Sequence, residues 1–199
     1  GGVSVPRTVL FEVVPVNQAP SFSSPPLVDA FEGQQDVVVE AFATDVWSGP
    51  PLPGILDEAS QALWFNVTQI GGDPLLFSSP PAVLASLADP RKAALHFSLR
   101  LGYDGNASLL VRLQDDGGAD NGGDSASEPA ALTVRIAHVN KRPSFLIPAP
   151  TVKVGQNVYT TDEYVGHAFA ANISAANGPF SEPGQLLTFD VSVDDPSLF

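Results

Sequence analysis

Apolar side chains recur at every second position through much of this chain. Leu95, Phe97, Leu99 and Leu101 alternate with His96, Ser98 and Arg100, and Leu109, Val111 and Leu113 alternate with Ser108, Leu110 and Arg112. Leu132, Val134 and Ile136 alternate with Thr133, Arg135 and Ala137. A period of two sends successive side chains to opposite faces, so each run predicts a strand with one buried face; Leu110 alone spoils a polar face. Val37 to Ala43 and Leu63 to Ile70 predict two more strands, with shorter ones near Pro26 to Ala30 and Leu75 to Phe77. Residues 81–88 predict one short helix, with Ala82, Leu84, Ala85 and Leu87 as its formers. Pro and Gly fill the segments between, as in Ser48-Gly49-Pro50-Pro51 and Ser78-Ser79-Pro80-Pro81, and mark turns and sheet edges.

The order of these elements is copied along the chain. Val16-Asn17-Gln18-Ala19-Pro20-Ser21-Phe22 returns as Val139-Asn140-Lys141-Arg142-Pro143-Ser144-Phe145. Ala41-Phe42-Ala43-Thr44-Asp45-Val46 answers to Ala168-Phe169-Ala170-Ala171-Asn172-Ile173, Leu63-Trp64-Phe65-Asn66-Val67 to Leu187-Thr188-Phe189-Asp190-Val191, and Asp73-Pro74-Leu75-Leu76-Phe77 to Asp195-Pro196-Ser197-Leu198-Phe199. A unit repeated head to tail points to an array. Residues 1–16 then read as the last strand of a preceding repeat, 17–139 as a complete repeat and 140–199 as the first half of the next, a fragment of something longer. Seven strands per repeat predict an all-β fold of tandem seven-stranded immunoglobulin-like β-sandwiches. The 17–139 repeat is long enough to bury its own core, since single domains commonly run about 100 to 150 residues.

The run Leu113-Gln114-Asp115-Asp116-Gly117-Gly118-Ala119-Asp120-Asn121-Gly122-Gly123-Asp124, the strand Leu132 to Ile136, then Val139-Asn140 and Pro143-Ser144-Phe145, resembles the tandem cadherin-like or immunoglobulin-like repeats of large surface and adhesion proteins. Units there close on an Asp-Asp-Gly-Gly loop, a final strand and a Val-Asn-Asp-Ala-Pro linker. Asp57-Glu58-Ala59-Ser60-Gln61-Ala62-Leu63 and Ser181-Glu182-Pro183-Gly184-Gln185-Leu186-Leu187 match the pattern too. The resemblance implies an extracellular or cell-surface rod whose partners are other copies of itself or other filament and surface proteins. Asn17, Pro20, Asn140 and Pro143 would be its linker residues. In cadherins proper, acidic residues at such junctions bind calcium; here the usual acid is Gln18 in one copy and Lys141 in the other, followed by Arg142. Loss of the carboxylate weakens an equivalent site and leaves stiffness to the two prolines.

Charge narrows the partners. The balance of 22 acidic against 9 basic residues, a net −13, argues against nucleic acid and against direct contact with an anionic membrane. No apolar run approaches the ~20 residues of a membrane-spanning helix, and the lack of Cys removes disulfides and thiolate metal sites. Asp115, Asp116, Asp120, Asp124 and Glu128, spaced by glycines, form the candidate calcium loop, with Asp116, Asp120 and Asp124 favoured and Glu32 or Asp29 as helpers from the same end of the sandwich. The competing reading is a solvated acidic turn. Asn66, Asn106 and Asn172 head N-glycosylation tripeptides, Asn106 just after the expected hairpin turn Gly102-Tyr103-Asp104-Gly105. The Ser-Pro-Pro runs at Pro25, Pro26, Pro80 and Pro81 resemble sites that plants and green algae hydroxylate and glycosylate.

No catalytic constellation emerges, and the chain is expected not to be an enzyme. His96, His138 and His167 lie apart and have no nucleophile elbow or metal-ligand spacing around them. Adjacent carboxylates on an extended chain point to opposite faces, so Asp57 and Glu58, or Asp115 and Asp116, do not converge as an acid/base pair. Trp64, Phe65, Phe77 and Phe97 are expected in a buried core rather than on a carbohydrate platform. The expected function is a rigid spacer and assembly module of a filament or stalk. Gly, Ala and Pro richness with the Ser-Pro-Pro runs favours algal flagellar hairs, or mastigonemes, over a bacterial surface adhesin or a carbohydrate- or ligand-binding receptor module.

Overall fold

The computed structural model describes residues 1–50, 58–151, 169–176, 182 and 184–194. It divides into two units, Gly1–His138 and Val139–Phe199. Asp57, His167 and the motif at 195–199 lie outside the described residues.

In the first unit the alternation becomes two four-stranded sheets. One runs in the order β1 (Ser21–Ser23), β3 (Val37–Trp47), β6 (Ala93–Leu99) and β5 (Phe77–Ala85); the other runs β2 (Leu27–Phe31), β8 (Ala130–Ala137), β7 (Gly105–Asp115) and β4 (Leu63–Gly71). Both contribute to one apolar core. Leu95 and Leu99 enter it from one sheet, and Leu109, Val111, Leu113, Leu132 and Val134 enter it from the other. Full burial of such a side chain contributes about 1.5–3 kcal/mol. A one-residue slip of β7 or β8 would turn its whole apolar row to solvent, so the core sets the register. Pairing is antiparallel except between β2 and β8, which run in parallel from Leu27 opposite Thr133 to Phe31 opposite Ala137.

Among the described residues eight strands form here where seven are expected, the added one being β1, which precedes the strand expected near Pro26 to Ala30. Pro25 and Pro26 offer no N–H to a ladder. Before them β1 pairs with β3, and after them β2 joins the other sheet. The helix expected over 81–88 does not form, since these residues lie largely in β5. Pro80 and Pro81 sit where its register shifts between Ser79 and Ala82, on an edge strand that tolerates missing donors. Val83 pairs with Leu95 and is buried, whereas Leu84 and Leu87 are exposed, so a period of two overrides helix propensity. Leu75 lies in a single 3-10 turn, Pro74–Leu76, whose Leu75 N–H donates to Asp73 Oδ1 at 2.8 Å; Phe77 then opens β5.

In the second unit β9 (Ser144–Leu146) pairs antiparallel with β10 (Ala171–Ser174). Ser144 lies opposite Ser174 and Leu146 opposite Ala171, as Ser21 lies opposite Trp47 and Ser23 opposite Thr44 in the first unit. Both ladders shift register between those pairs. Asp45 in one and Asn172 in the other hold a φ of 51° there, in the left-handed region.

Candidate functional site

The inward phase of β7 runs through Ala107, Leu109, Val111 and Leu113 and ends on Asp115, which is 3% exposed. A carboxylate carried into the interior needs donors. Asp115 Oδ1 accepts from Asn17 Nδ2 and from the Gly117 N–H, each at 2.9 Å. Asn17 Nδ2 also donates to the Asp124 carbonyl at 2.9 Å and the Gly118 carbonyl at 3.1 Å, and the Asp124 N–H returns a bond to the Asn17 carbonyl. Asn17 Oδ1 accepts from Gln61 Nε2 at 2.6 Å. One asparagine side chain, with two N–H groups shared among three acceptors and one accepting oxygen, thereby ties the loop after β7 to the turn before β4.

The next residue adds a second buried carboxylate. The Gln18 N–H donates to Glu58 Oε1 at 2.7 Å, and Glu58 is 7% exposed. Its Oε2 fills the space beside Gly49, where an added Cβ would lie 1.8 Å away; a Cβ on Gly117 would lie 2.1 Å from Asn17 Oδ1. Glycine at these two positions is a condition of the close approach. Glu58 Oε2, Gln61 Oε1 and Asp115 Oδ2 accept no hydrogen bond from the described residues. A cavity of about 180 Å³ opens beside Glu58 and Gln61, lined also by Pro15, Val16, Asn17 and Gly117.

Two of these bonds, backbone N–H to glutamate and glutamine to asparagine, recur in the second unit on its own residues. The Lys141 N–H donates to Glu182 Oε1 at 2.6 Å, and Gln185 Nε2 donates to Asn140 Oδ1 at 2.7 Å and to Glu182 Oε2 at 2.5 Å. Glu182 is buried, with Lys141 Nζ 3.9 Å from its Oε1. Each unit also holds an edge-to-face aromatic pair: Phe22 with Phe65 at 5.2 Å and 87°, and Phe145 with Phe189 at 5.1 Å and 85°. Of the linker prolines, Pro20 is buried and Pro143 exposed.

The acidic loop is built around Asn17. Asp116, Asp120 and Asp124 are exposed and do not bring ligand oxygens within 4.8 Å of one another. Asp116 Oδ1 accepts from the Ala62 N–H, Asp124 Oδ1 from the Ala126 N–H, and the Asp120 carbonyl from the Gly123 N–H. The expected helpers are elsewhere. Glu32 lies beyond β2, whose parallel pairing sets it beside the far end of β8, away from the loop that precedes β8. Asp29 receives Arg135 Nε at 2.6 Å and Nη2 at 2.9 Å, a contact that raises the pKa of the guanidinium.

Among the described residues one grouping does bring three metal-capable side chains together: Glu32, Asp104 and His138. His138 Nδ1 lies 3.4 Å from Glu32 Oε1 and 3.7 Å from Asp104 Oδ1. Sequence reading leaves His138 at a strand end and Asp104 in a turn. The signal that unites them is the parallel β2–β8 ladder, because Glu32 follows the inward positions Val28 and Ala30, and His138 follows β8 directly.

Asn66, Asn106 and Asn172 are all exposed, on β4, β7 and β10. Asn106 stands just inside β7, and the turn before it joins strands of different sheets rather than closing a hairpin. Pro25, Pro26 and Pro80 are exposed and Pro81 is half-buried. Phe77 and Phe97 are buried and Phe65 packs against the core, but Trp64 is 47% exposed, because it falls on the outward phase of the edge strand β4. Its Nε1 donates to Gln114 Oε1 at 3.1 Å. No family model matches the chain, and comparison with curated proteins and with solved structures gives no match.

Proposed function

We propose that this chain is a structural repeat segment, built of cadherin-like or immunoglobulin-like β-sandwich units, that acts as a rigid spacer and assembly module of an extracellular filament or stalk. The observation that carries the reading is the recurrence of one lock. Asn17, Gln18, Glu58 and Gln61 share two bonds with Asn140, Lys141, Glu182 and Gln185, and each unit also holds an edge-to-face phenylalanine pair. A buried glutamate gripping the backbone just after the Val-Asn pair fixes where the chain enters each unit, which is the property a spacer needs. Proline at Pro20 and Pro143 adds fixed torsions to the same joint. The exposed Asn66, Asn106 and Asn172 suit covalent glycans on such a surface, and the flagellar hairs of algae are the favoured setting.

Electron microscopy of the native assembly that contains this sequence tests the proposal. A linear array with an axial repeat of roughly 40 Å, about what strands of this length with loops at both ends span, is expected; isolated globular particles would overturn it. Trp64, outward on an edge strand, favours a carbohydrate-binding module as the second reading. Binding on a glycan array that is lost in Trp64→Ala would select it.

A further inference from the structure

Residues 1–15 carry no helix or strand, yet they hold Val9, Leu10, Phe11, Val13 and Val14, all exposed, with Phe11 at 85%. Counted back from the matching Val16 and Val139, Val9 takes the place of Leu132, Phe11 of Val134 and Val13 of Ile136. Those three are the inward residues of β8, each no more than 3% exposed. Leu10, Glu12 and Val14 take the outward places of Thr133, Arg135 and Ala137.

Resting on the repeat reading proposed above, we infer that Thr8–Val14 is a closing strand that inserts into another open sandwich of this kind, between a parallel and an antiparallel neighbour, as β8 does. Its acceptor carries a neutral or basic side chain where this chain has Asp29. The charge argument is specific. In this chain's own sandwich β8 already fills the groove, and Arg135 makes a bidentate pair with Asp29 on the partner strand. Glu12 in that register would set two carboxylates across the ladder, which is unfavourable. The strand therefore discriminates against a second copy of its own sandwich and favours an acceptor with a neutral or basic side chain opposite Glu12. Main-chain bonds to both neighbours supply the affinity and the alternate side chains the register, as in β-strand addition generally.

Transplantation within the full 199-residue chain tests this. One variant carries Leu132→Val, Thr133→Leu, Val134→Phe, Arg135→Glu, Ile136→Val and Ala137→Val. A second keeps Arg135, a third keeps Val134 to avoid overpacking by the phenyl ring, and a fourth receives the donor residues slipped by one, so that Thr8, Leu10 and Glu12 take inward places. Urea unfolding is read through Trp47 and Trp64, both in this unit. The expected result is one cooperative transition in the third variant at least and none in the slipped one, with retention of Arg135 raising the folding equilibrium roughly two- to fivefold. Equal midpoints for slipped and in-register variants, or failure of all in-register variants to fold, would overturn the strand assignment; no effect of Arg135 would overturn the acceptor chemistry. Globular particles in micrographs with a successful transplant would strike the filament reading alone.

Discussion

At one end of the first unit, Asp115 and Glu58 are held by uncharged donors, namely the Asn17 amide and the N–H groups of Gly117 and Gln18. At the other end, Glu32 faces the His138 imidazole, with Nδ1 3.4 Å from its Oε1 and Asp104 half exposed alongside. Asp115 and Glu32 arise in the same way, as continuations of an inward strand phase at opposite ends of the sheet that contains β2, β8 and β7. Neutral donors aimed at a carboxylate make charge-assisted bonds that salt barely weakens, whereas the imidazole that faces Glu32 is 43% exposed and stands in solvent. The Asn17 end is therefore the rigid one, and the second unit repeats two of its bonds at Asn140, Lys141, Glu182 and Gln185.

Asn17→Ala would test the contrast most severely. It strips a donor from buried Asp115, the acceptor from Gln61 and a bond from each of two carbonyls, and should destabilise the first unit by about 3 kcal/mol, with little dependence on salt, measured by urea unfolding followed through tryptophan emission. Gly49→Ala should cost about 2 kcal/mol by overpacking against Glu58, seen as a lower denaturant midpoint with an unchanged slope. At the opposite end, His138→Ala removes a side chain that is 43% exposed and should cost less than Asn17→Ala, about 1 kcal/mol; a cost equal to that of Asn17→Ala would erase the distinction between the ends.

The smallest effect belongs to a turn remote from both ends. The Arg91 N–H and then the Lys92 ammonium hold the Asp89 carboxyl below its ordinary value. A depressed carboxylate stabilises the fold above its unfolded pKa, and that contribution is lost as the pH falls through the folded value. Acidification below the usual aspartate range should thus loosen the β5–β6 turn, read as faster amide exchange around Ser86 and Lys92, and Asp89→Asn should remove the pH dependence.

Much of the strand pattern was legible because burial on one face leaves a period of two in the sequence, as Leu109, Val111 and Leu113 show. The same phase reaches Asp115, so its burial was legible too. Its partner was not, because alternation tells which way a residue faces and says nothing of what stands opposite across the unit. That is why Asp116, Asp120 and Asp124 read as one cluster although the chain turns about Asn17 between them, and why Glu32 was assigned to the wrong end. Local propensity misled at 81–88, where two prolines and the buried Val83 favour an edge strand. Trp64 misled for a related reason, since hydrophobicity suggested the core and only its phase relative to Phe65 shows it outward.

Amide hydrogen exchange in the full chain at Gln18 and Lys141 tests most directly whether one lock is built twice. Both N–H groups donate to a buried glutamate, so both should exchange at least ~10³-fold more slowly than in an unfolded chain. Glu58→Ala should release Gln18 alone and Glu182→Ala should release Lys141 alone. Exchange of either amide at the unfolded rate in the native chain would contradict the account.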